Sequence, residues 1–352
     1  MILFYILFLF VLLLTFLPML RNQHWFFRLG DFLKVHVLYL SIILIAIGMI
    51  NYEKVNPLFN TTLVLIIIFH AKTIIKYTFL YSLPDKKKSN DASSTISILS
   101  ANVYQFNTNY TKFQNLISTN NPDIFITLES NSDWEIANRS LEKNYPYNHK
   151  VTLENTYGMH LYSKLPLSDI KEHYFVADDI PSLEVHFHLK EGYHFVLFVI
   201  HPPPPSPTEE TNSKERDGEL LSVAKRLNEL NKPSIVIGDL NNVGWAKSTI
   251  LFLKSGNLID PRIGRGLIST FHAKYWFMRI PIDHIFHTAE IFVKNIKKLE
   301  AFGSDHFPIW AEFWIDHKND IQEEEVSNIE SHEEEIIDDY IKEGIKEEGN
   351  RE

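Results

Sequence analysis

The chain has 352 residues, of which 45% are hydrophobic, and its formal net charge is −10. It has no cysteine, which excludes disulfides and thiolate metal sites. Residues 317–352 hold 14 acidic and 4 basic residues, whereas residues 82–316 hold 28 acidic and 24 basic ones, so the central part lacks the basic excess expected of a tight duplex-binding protein.

Three hydrophobic runs stand at the N-terminus, over residues 2–20, 35–50 and 58–81. Each reaches or approaches the roughly 20 residues that a helix needs to cross a bilayer. A cleaved signal peptide does not explain the first run, because the run is too long, has no basic residue before it, and is followed by two more. We therefore predict a transmembrane region of about three helices over residues 1–82.

Basic residues near the ends of these runs predict the orientation of an integral, multi-pass membrane protein. The first loop carries Arg21, Arg28 and Lys34 at its edge, and the second carries only Lys54. Three lysines at 86–88 follow the third run, within a polar segment that predicts a linker over residues 83–94. Because positive charge favours the cytoplasmic side, the large C-terminal part is expected in the cytoplasm.

Residues 95–316 alternate between short apolar runs and a few segments of helical spacing. The runs predict strands over residues 95–102, 123–129, 158–164, 182–189, 193–200, 234–237, 282–287, 291–299 and 308–314. Helical spacing predicts helices over residues 110–118, 213–230 and 245–253. This order predicts an α+β domain in which two β-sheets pack face to face and helices flank them.

The acidic tail over residues 317–352 allows two interpretations. Its composition is typical of a solvated, disordered segment. Its isoleucines and Tyr340 recur at roughly helical spacing, which favours a helix that binds a protein partner.

Polar residues stand at or beside the ends of the predicted strands. They are Asn102, Glu129, His201, Asp239, Asn241, Asp283, Asp305 and His306. Strand ends of packed sheets meet at a rim, so these side chains are expected to lie together. Three of them, Asn102, Glu129 and Asp305, offer oxygen ligands that suit Mg²⁺ or Mn²⁺ rather than zinc. Two histidines with two carboxylate partners suit proton transfer and the stabilisation of a charged oxygen.

Six segments together resemble a known family. In order they read SILSANVYQFN, DIFITLES, FVLFVIHPPPPSP, IVIGDLNN, IPIDHIFHT and GSDHFPI. They resemble the ordered motifs of the endonuclease/exonuclease/phosphatase superfamily, and most closely those of bacterial members with N-terminal membrane spans. The resemblance covers residues 95–316 and implies the four-layer, deoxyribonuclease-I-like sandwich.

The resemblance also implies roles for the strand-end residues. Glu129 would bind the metal with the help of Asn102 and Asp305. The catalytic set would be His201, Asp239, Asn241, Asp283 and His306. In that set Asp283 orients His306, and the Asp239–Asn241 pair positions the attacking water and the phosphoryl oxygens. The sequence leaves open whether Asp239 or the Asp283–His306 pair is the general base.

The expected function is that of a membrane-anchored phosphoesterase that depends on Mg²⁺ or Mn²⁺. Nucleic acid is the default substrate, and a phospholipid or an inositol phosphate is the alternative. A hypothesis of another class is a non-catalytic, membrane-tethered binding module. The expected partners are the phosphate-ester substrate, the membrane through the N-terminal helices, and a protein that binds the acidic tail.

Overall fold

The structure is a computed structural model of the chain, and it describes residues 1–81, 95–189, 194–316 and 321–349. The predicted linker over residues 83–94 lies outside the described residues. The chain divides into two compact units. The first contains Met1–Pro84 together with two segments, Pro205–Ser213 and Ile263–Leu267, and the second contains the remainder.

The first unit is helical. Its helices are α1 (Ile2–Phe16), α2 (Trp25–Phe32), α3 (Lys34–Ile50) and α4 (Pro57–Ile74). Helix α4 begins cleanly because Asn56 accepts a hydrogen bond from the amide of Leu58 and proline occupies the first helical position. The two added segments bond to this unit through their backbone, since the amide of Trp25 donates to Thr211 and that of Gly264 to Lys76.

Two stretches of this unit are long and apolar enough to cross a membrane, Ile2–Met19 and Pro57–Tyr77. A third span exists only if α2 and α3, which meet at a bend of 66°, are counted as one. Among the described residues the number of candidate spans is therefore two or three by length and composition, and the predicted number of about three stays a prediction.

The second unit contains two mixed β-sheets. The strands are β1 (Ile96–Asn102), β2 (Ile124–Leu128), β3 (Tyr147–Val151), β4 (Met159–Ser163), β5 (Leu167–His173), β6 (Ser182–His188), β7 (His194–Ile200), β8 (Ser234–Asp239), β9 (Asp283–His287), β10 (Ile291–Lys298) and β11 (Ile309–Ile315). One sheet has the order β10-β11-β1-β2-β4-β3, and the other has the order β5-β6-β7-β8-β9.

Alternation along the strands explains how the sheets pack. In β2, Ile124, Ile126 and Leu128 enter the core between the sheets, while Phe125 faces the helices outside. Side chains on a strand point to opposite faces in turn, so an entirely apolar strand is buried on both sides.

Helices cover the outer face of each sheet. The first sheet is covered by α5 (Tyr110–Asn120) and α6 (Ser132–Asn138). The second is covered by α7 (Lys214–Leu230), α8 (Lys247–Ser255) and α9 (Ser331–Lys346). The result is the predicted arrangement of two packed sheets flanked by helices.

Helix α9 shows that much of the acidic tail is ordered, so the solvated interpretation is wrong for residues 331–346. The buried Ile337 belongs to the same apolar cluster as α7. Lys254 pairs with Glu333 at 2.8 Å and Lys225 with Asp338 at 2.7 Å, which places acidic residues of the helix against basic residues of the domain. The apolar face that predicted a protein partner packs here on the domain itself.

Candidate active site

The sheet topology brings the predicted strand ends to one rim. Strands β1 and β2 are parallel neighbours, and so are β7 and β8, so each pair ends on the same side. Strand β9 runs antiparallel to β8, with Asp283 opposite Asp239. Strand β11 runs antiparallel to β1 and begins where β1 ends, so the residues just before β11 also reach this rim.

Three buried side chains form the centre of the site, His306, Asp283 and Asp239. Nδ1 of His306 lies 2.8 Å from Oδ2 of Asp283, and Nε2 lies 3.5 Å from Oδ2 of Asp239. The ligand-type atoms of these three residues all lie within 4.8 Å of one another. A single imidazole is therefore held between two carboxylates that water barely reaches.

The surrounding charges favour a protonated His306. Burial opposes the charged imidazole, but Asp283 and Asp239 outweigh this effect and raise the pKa of His306 to about 10. Burial, followed by the nearby Asp283 carboxylate, raises the pKa of Asp239. The imidazolium is thus paired with Asp283, while the Asp239 carboxyl is able to take up a proton near neutral pH.

Asn102 links two carboxylates at the end of β1. Its Nδ2 donates to Oε1 of Glu129 at 2.7 Å and to Oδ2 of Asp239 at 3.2 Å. Its Oδ1 accepts from the amide of Tyr104, so both ends of the side-chain amide are fixed. The second oxygen of Glu129 accepts from the amide of Gln105. Asn102 therefore orients both acids.

Backbone conformation at the rim is unusual. Glu129 has a φ of 58°, Tyr104 of 56° and Asn241 of 48°, all in the left-handed region that side-chain-bearing residues rarely adopt. Such conformations persist where the surrounding contacts hold them, and they concentrate at functional sites. At Glu129 this conformation follows directly on β2 and precedes the turn into α6.

His201 follows β7 and is buried beside the central group. Its Nε2 lies 3.9 Å from Oδ2 of Asp239, and its ring centre lies 5.4 Å from that of Tyr157. Burial, together with the charge of His306, lowers the pKa of His201 to about 3. The imidazole is therefore neutral, and its Nδ1 has no hydrogen-bond partner among the residues that the structure describes.

Asn241 acts on the site mainly through its backbone. Its amide donates to Oδ1 of Asp239 at 3.0 Å, and its side chain donates to the carbonyl of Pro202. The buried Arg216 donates to the carbonyl of Asn241 and so fixes this turn. The Asn241 side chain joins the ends of β7 and β8, and its predicted role in positioning phosphoryl oxygens stays a prediction.

Asp305 is only partly buried, and its negative charge lies close enough to Glu129 to raise the pKa of that residue. Ser304 tethers this segment to β1, since its hydroxyl donates to the carbonyl of Asn102 and accepts from the amide of His306. All eight predicted side chains therefore belong to one rim, although Asn241 and Asp305 have fewer contacts with the centre.

The donor set suits a hard divalent cation. Glu129 and Asp305 provide carboxylate oxygens, and Asn102 orients the first of them. Burial raises the pKa of Glu129 to about 6, and a bound cation would reverse this effect. The Asp239–Asp283–His306 group also offers three ligand-type atoms within 4.8 Å of one another, and His306 would have to lose its proton to bind a cation there.

Sequence reasoning missed several residues that shape the site, namely Gln105, Tyr157 and Arg216. Gln105 stands in the first of the six family-like segments, three residues beyond Asn102, so its position was a usable signal. Tyr157 lies in a loop and Arg216 in α7, and no local sequence pattern marks either of them as a site residue. Their roles emerge only from the contacts that the fold creates.

Solved structures share this fold at low sequence identity. The chain is similar to D. rerio TDP2 complexed with a single-strand DNA product (16% identity, TM-score 0.54, 63% of this chain and 99% of that chain). It is similar to the human Nocturnin catalytic domain with bound sulfate (16%, 0.52, 63% and 94%). It is also similar to a mannosyl-6-phosphatase of Bacteroides thetaiotaomicron VPI-5482 (19%, 0.51, 62% and 100%).

No curated protein sequence matches the chain. The sequence model of the Endonuclease/Exonuclease/phosphatase family matches residues 99–306, more than half of the chain and the span from β1 to His306. The chain therefore belongs to the endonuclease/exonuclease/phosphatase family, whose members hydrolyse phosphoesters and generally depend on a divalent metal ion.

Proposed function

We propose that the protein is a membrane-anchored phosphoesterase that depends on Mg²⁺ or Mn²⁺, with its catalytic domain over residues 95–316. One observation carries this proposal: the His306 imidazole lies between two buried carboxylates, next to a separate acid–amide pair. Cleavage of a phosphoester develops negative charge and requires the removal of a proton from water, and this arrangement provides for both.

The central side chains divide these tasks by their charge. The His306 imidazolium, held by Asp283, offsets negative charge on the phosphoryl oxygens. Asp239 accepts the proton of the attacking water, because its raised pKa makes it a stronger base than an ordinary aspartate. The neutral His201 donates a hydrogen bond to the transferred group, and Asn241 keeps Asp239 in place through its backbone amide.

Glu129 and Asp305 would hold the divalent ion, with Asn102 orienting Glu129. When bound there, the ion supplies Lewis-acid stabilisation of the phosphate. Glu129 suits this role because its conformation is fixed by Asn102 and by the amide of Gln105.

Nucleic acid is the default substrate, since the similar D. rerio structure holds a single-strand DNA product. A phosphomonoester stays within the proposal, since another similar protein is a mannosyl-6-phosphatase. A phospholipid or inositol phosphate is a second candidate, which exposed aromatic residues near the rim favour.

The helical unit is proposed to span the membrane and to keep the catalytic domain on the cytoplasmic side. Its support is the two apolar stretches together with the basic residues at 86–88. Protease treatment of sealed, right-side-out vesicles tests the sidedness. Cleavage of the C-terminal residues from outside would contradict it.

Turnover by the full chain in detergent tests the proposal and excludes a non-catalytic module. The chain is expected to hydrolyse bis(p-nitrophenyl) phosphate with Mg²⁺ or Mn²⁺ and to stop in EDTA. His306→Gln should lower the rate by roughly 10²–10⁴-fold. A folded chain that is inactive on phosphodiesters and phosphomonoesters with both ions would refute the proposal.

A further inference from the structure

An exposed aromatic loop stands beside the active site, between residues 272 and 279. Four consecutive large side chains at its tip are exposed, Tyr275, Trp276, Phe277 and Met278, and Trp276 is 81% exposed. Burying such side chains would be strongly favourable. A run of this kind left in water indicates a surface that contacts something else.

Contacts with the catalytic rim hold the start of this loop and the residue before it. The ring of Phe271 lies 4.9 Å from that of His306, and the amide of Ala273 donates to the carbonyl of Asp305. Whatever covers the tip of this loop is therefore held next to the residues that act on the phosphate.

A second aromatic segment lies alongside, in which Tyr104 is partly buried and Phe106 is exposed. Nζ of Lys274 is 5.8 Å from the ring centre of Tyr104, and that ring is 5.6 Å from the ring of Phe106. Phe106 is 68% exposed, while the amide of Tyr104 is bonded to Asn102. We call this surface the rim patch; it consists of Tyr104, Phe106, Tyr275, Trp276, Phe277 and Met278.

Cationic side chains flank the rim patch. Lys274 precedes the aromatic run and Arg279 follows it. The Arg279 guanidinium lies 4.5 Å from the ring centre of Phe307, and Nζ of Lys298 lies 4.7 Å from the same ring centre. Apolar tips between cations are typical of segments that rest in the interface of an anionic bilayer.

Single-stranded nucleic acid is the competing occupant, because bases stack on aromatic side chains. Such binding also needs a row of basic side chains along the nucleic-acid backbone, whereas Lys274 and Arg279 stand on either side of four uncharged residues. Met278 offers no stacking surface. The chain itself carries helices apolar enough to span a membrane, so a bilayer is the surface most available to the rim patch.

We propose that the rim patch inserts into the interface of an anionic phospholipid bilayer and that the active site hydrolyses the phosphodiester of a lipid headgroup held there. This inference rests on the proposed phosphoesterase activity. The apolar side chains enter the acyl boundary, the flanking cations contact lipid phosphates, and the attachments to His306 and Asp305 bring the catalytic rim to headgroup level.

The test compares lipid and soluble substrates with one full-length preparation. Vesicles of phosphatidylcholine, phosphatidylglycerol, phosphatidylinositol and sphingomyelin supply the lipid. Bis(p-nitrophenyl) phosphate supplies the soluble diester, and a single-stranded oligodeoxynucleotide is the competing substrate. The double variant Trp276→Ser/Phe277→Ser should lower the ratio of lipid to soluble hydrolysis at least about tenfold, since two large apolar side chains no longer enter the bilayer. Ile345→Ser, an exposed apolar residue of α9, is the matched control and should leave the ratio unaltered.

The outcomes separate the two proposals. A folded parent chain that hydrolyses neither lipid nor soluble phosphodiesters and phosphomonoesters with either ion would refute the proposed function. Soluble hydrolysis without lipid hydrolysis, or an unaltered ratio in the double variant, would overturn the inference alone. A selective loss of single-stranded DNA hydrolysis in the double variant would also overturn it, in favour of base stacking.

A binding measurement tests insertion without any need for turnover. The full chain is reconstituted in vesicles that contain brominated phosphatidylcholine, which quenches tryptophan emission in the bilayer. The emission lost on changing Trp276→Phe isolates the signal of that side chain from the other tryptophans. We expect this signal to be strongly quenched, and an unquenched Trp276 would overturn the inference.

Discussion

Asp283 holds His306 through a 2.8 Å hydrogen bond to Nδ1, which leaves Nε2 facing Asp239 at 3.5 Å. The bond fixes the orientation of the ring, and the negative charge of Asp283 favours the imidazolium. Asp283 therefore sets both the ring orientation and the protonation of His306.

Replacing Asp283 with Asn should therefore reduce kcat more than it weakens substrate binding. The amide keeps the shape of the carboxylate but removes the charge that stabilises the imidazolium. We expect kcat on bis(p-nitrophenyl) phosphate to fall roughly 10²–10⁴-fold. Asp169→Asn, on the exposed strand β5, is the control, and a kcat within a few-fold of the parent in Asp283→Asn would contradict the assigned role.

Replacing Glu129 with Gln should weaken the response to metal. The substitution removes the negative charge that a divalent ion needs while keeping the side-chain length. The Mg²⁺ concentration for half-maximal activity should rise at least about tenfold. An unaltered metal titration would rule out Glu129 as a ligand. Glu172→Gln on the exposed strand β5 is the control and should leave the metal response as in the parent.

The buried Glu219 of α7 predicts a pH-dependent stability. One oxygen accepts from Ser182 at 2.6 Å, and the other has no partner among the described residues. Burial raises the pKa of Glu219 to about 8 from its ordinary value of 4.5. Between these two values the folded state keeps a proton that the unfolded state has lost, so stability falls as pH rises through this window.

Glu219→Gln removes this loss of stability at high pH, because glutamine does not ionise. Its Tm should exceed that of the parent at pH 8 and differ little from it near pH 4. Thermal unfolding of the full chain in detergent measures both. Glu229→Gln, on the exposed side of α7, should show no such pH-dependent gain. A lower Tm in Glu219→Gln at pH 8 would show that the ionised carboxylate is needed in the fold.

Gly344 lets α9 approach α7 closely. A Cβ added there would lie 2.8 Å from the carbonyl oxygen of Lys214 and 3.0 Å from Cα of Gly218. At an exposed helix position Gly→Ala usually stabilises, but here the clash should destabilise by about 1–3 kcal/mol. Denaturant unfolding measures the change, with Glu343→Ala as the control. A more stable Gly344→Ala variant would contradict this packing.

Sequence reasoning worked where a strand is buried on both faces. Strands β2 and β8 are largely apolar, and an acid directly follows the first and ends the second, so both the strand and the position of its end are visible. These ends are the reason that Glu129 and Asp239 are recognisable as candidate site residues from the sequence alone.

The same reasoning missed elements whose stability comes from their neighbours. Strand β5 contains no fully buried residue, and its pairing with β6 shifts between Leu167 and Asp169. Its sequence therefore lacks the alternation that marks a strand. Helix α9 had visible helical spacing, but its sequence did not show that it packs on α7. That packing depends on the close approach of Gly344 to Gly218, which is distant in sequence.

The position of β1 has a consequence for synthesis. This strand lies inside its sheet and bonds on one side to β11, which is the last strand among the described residues. The apolar helices α1 to α4 leave the ribosome before this strand, whereas Asn102 and His306 can meet only after the segment between them has emerged. The helices are thus complete in the nascent chain before the catalytic rim can assemble.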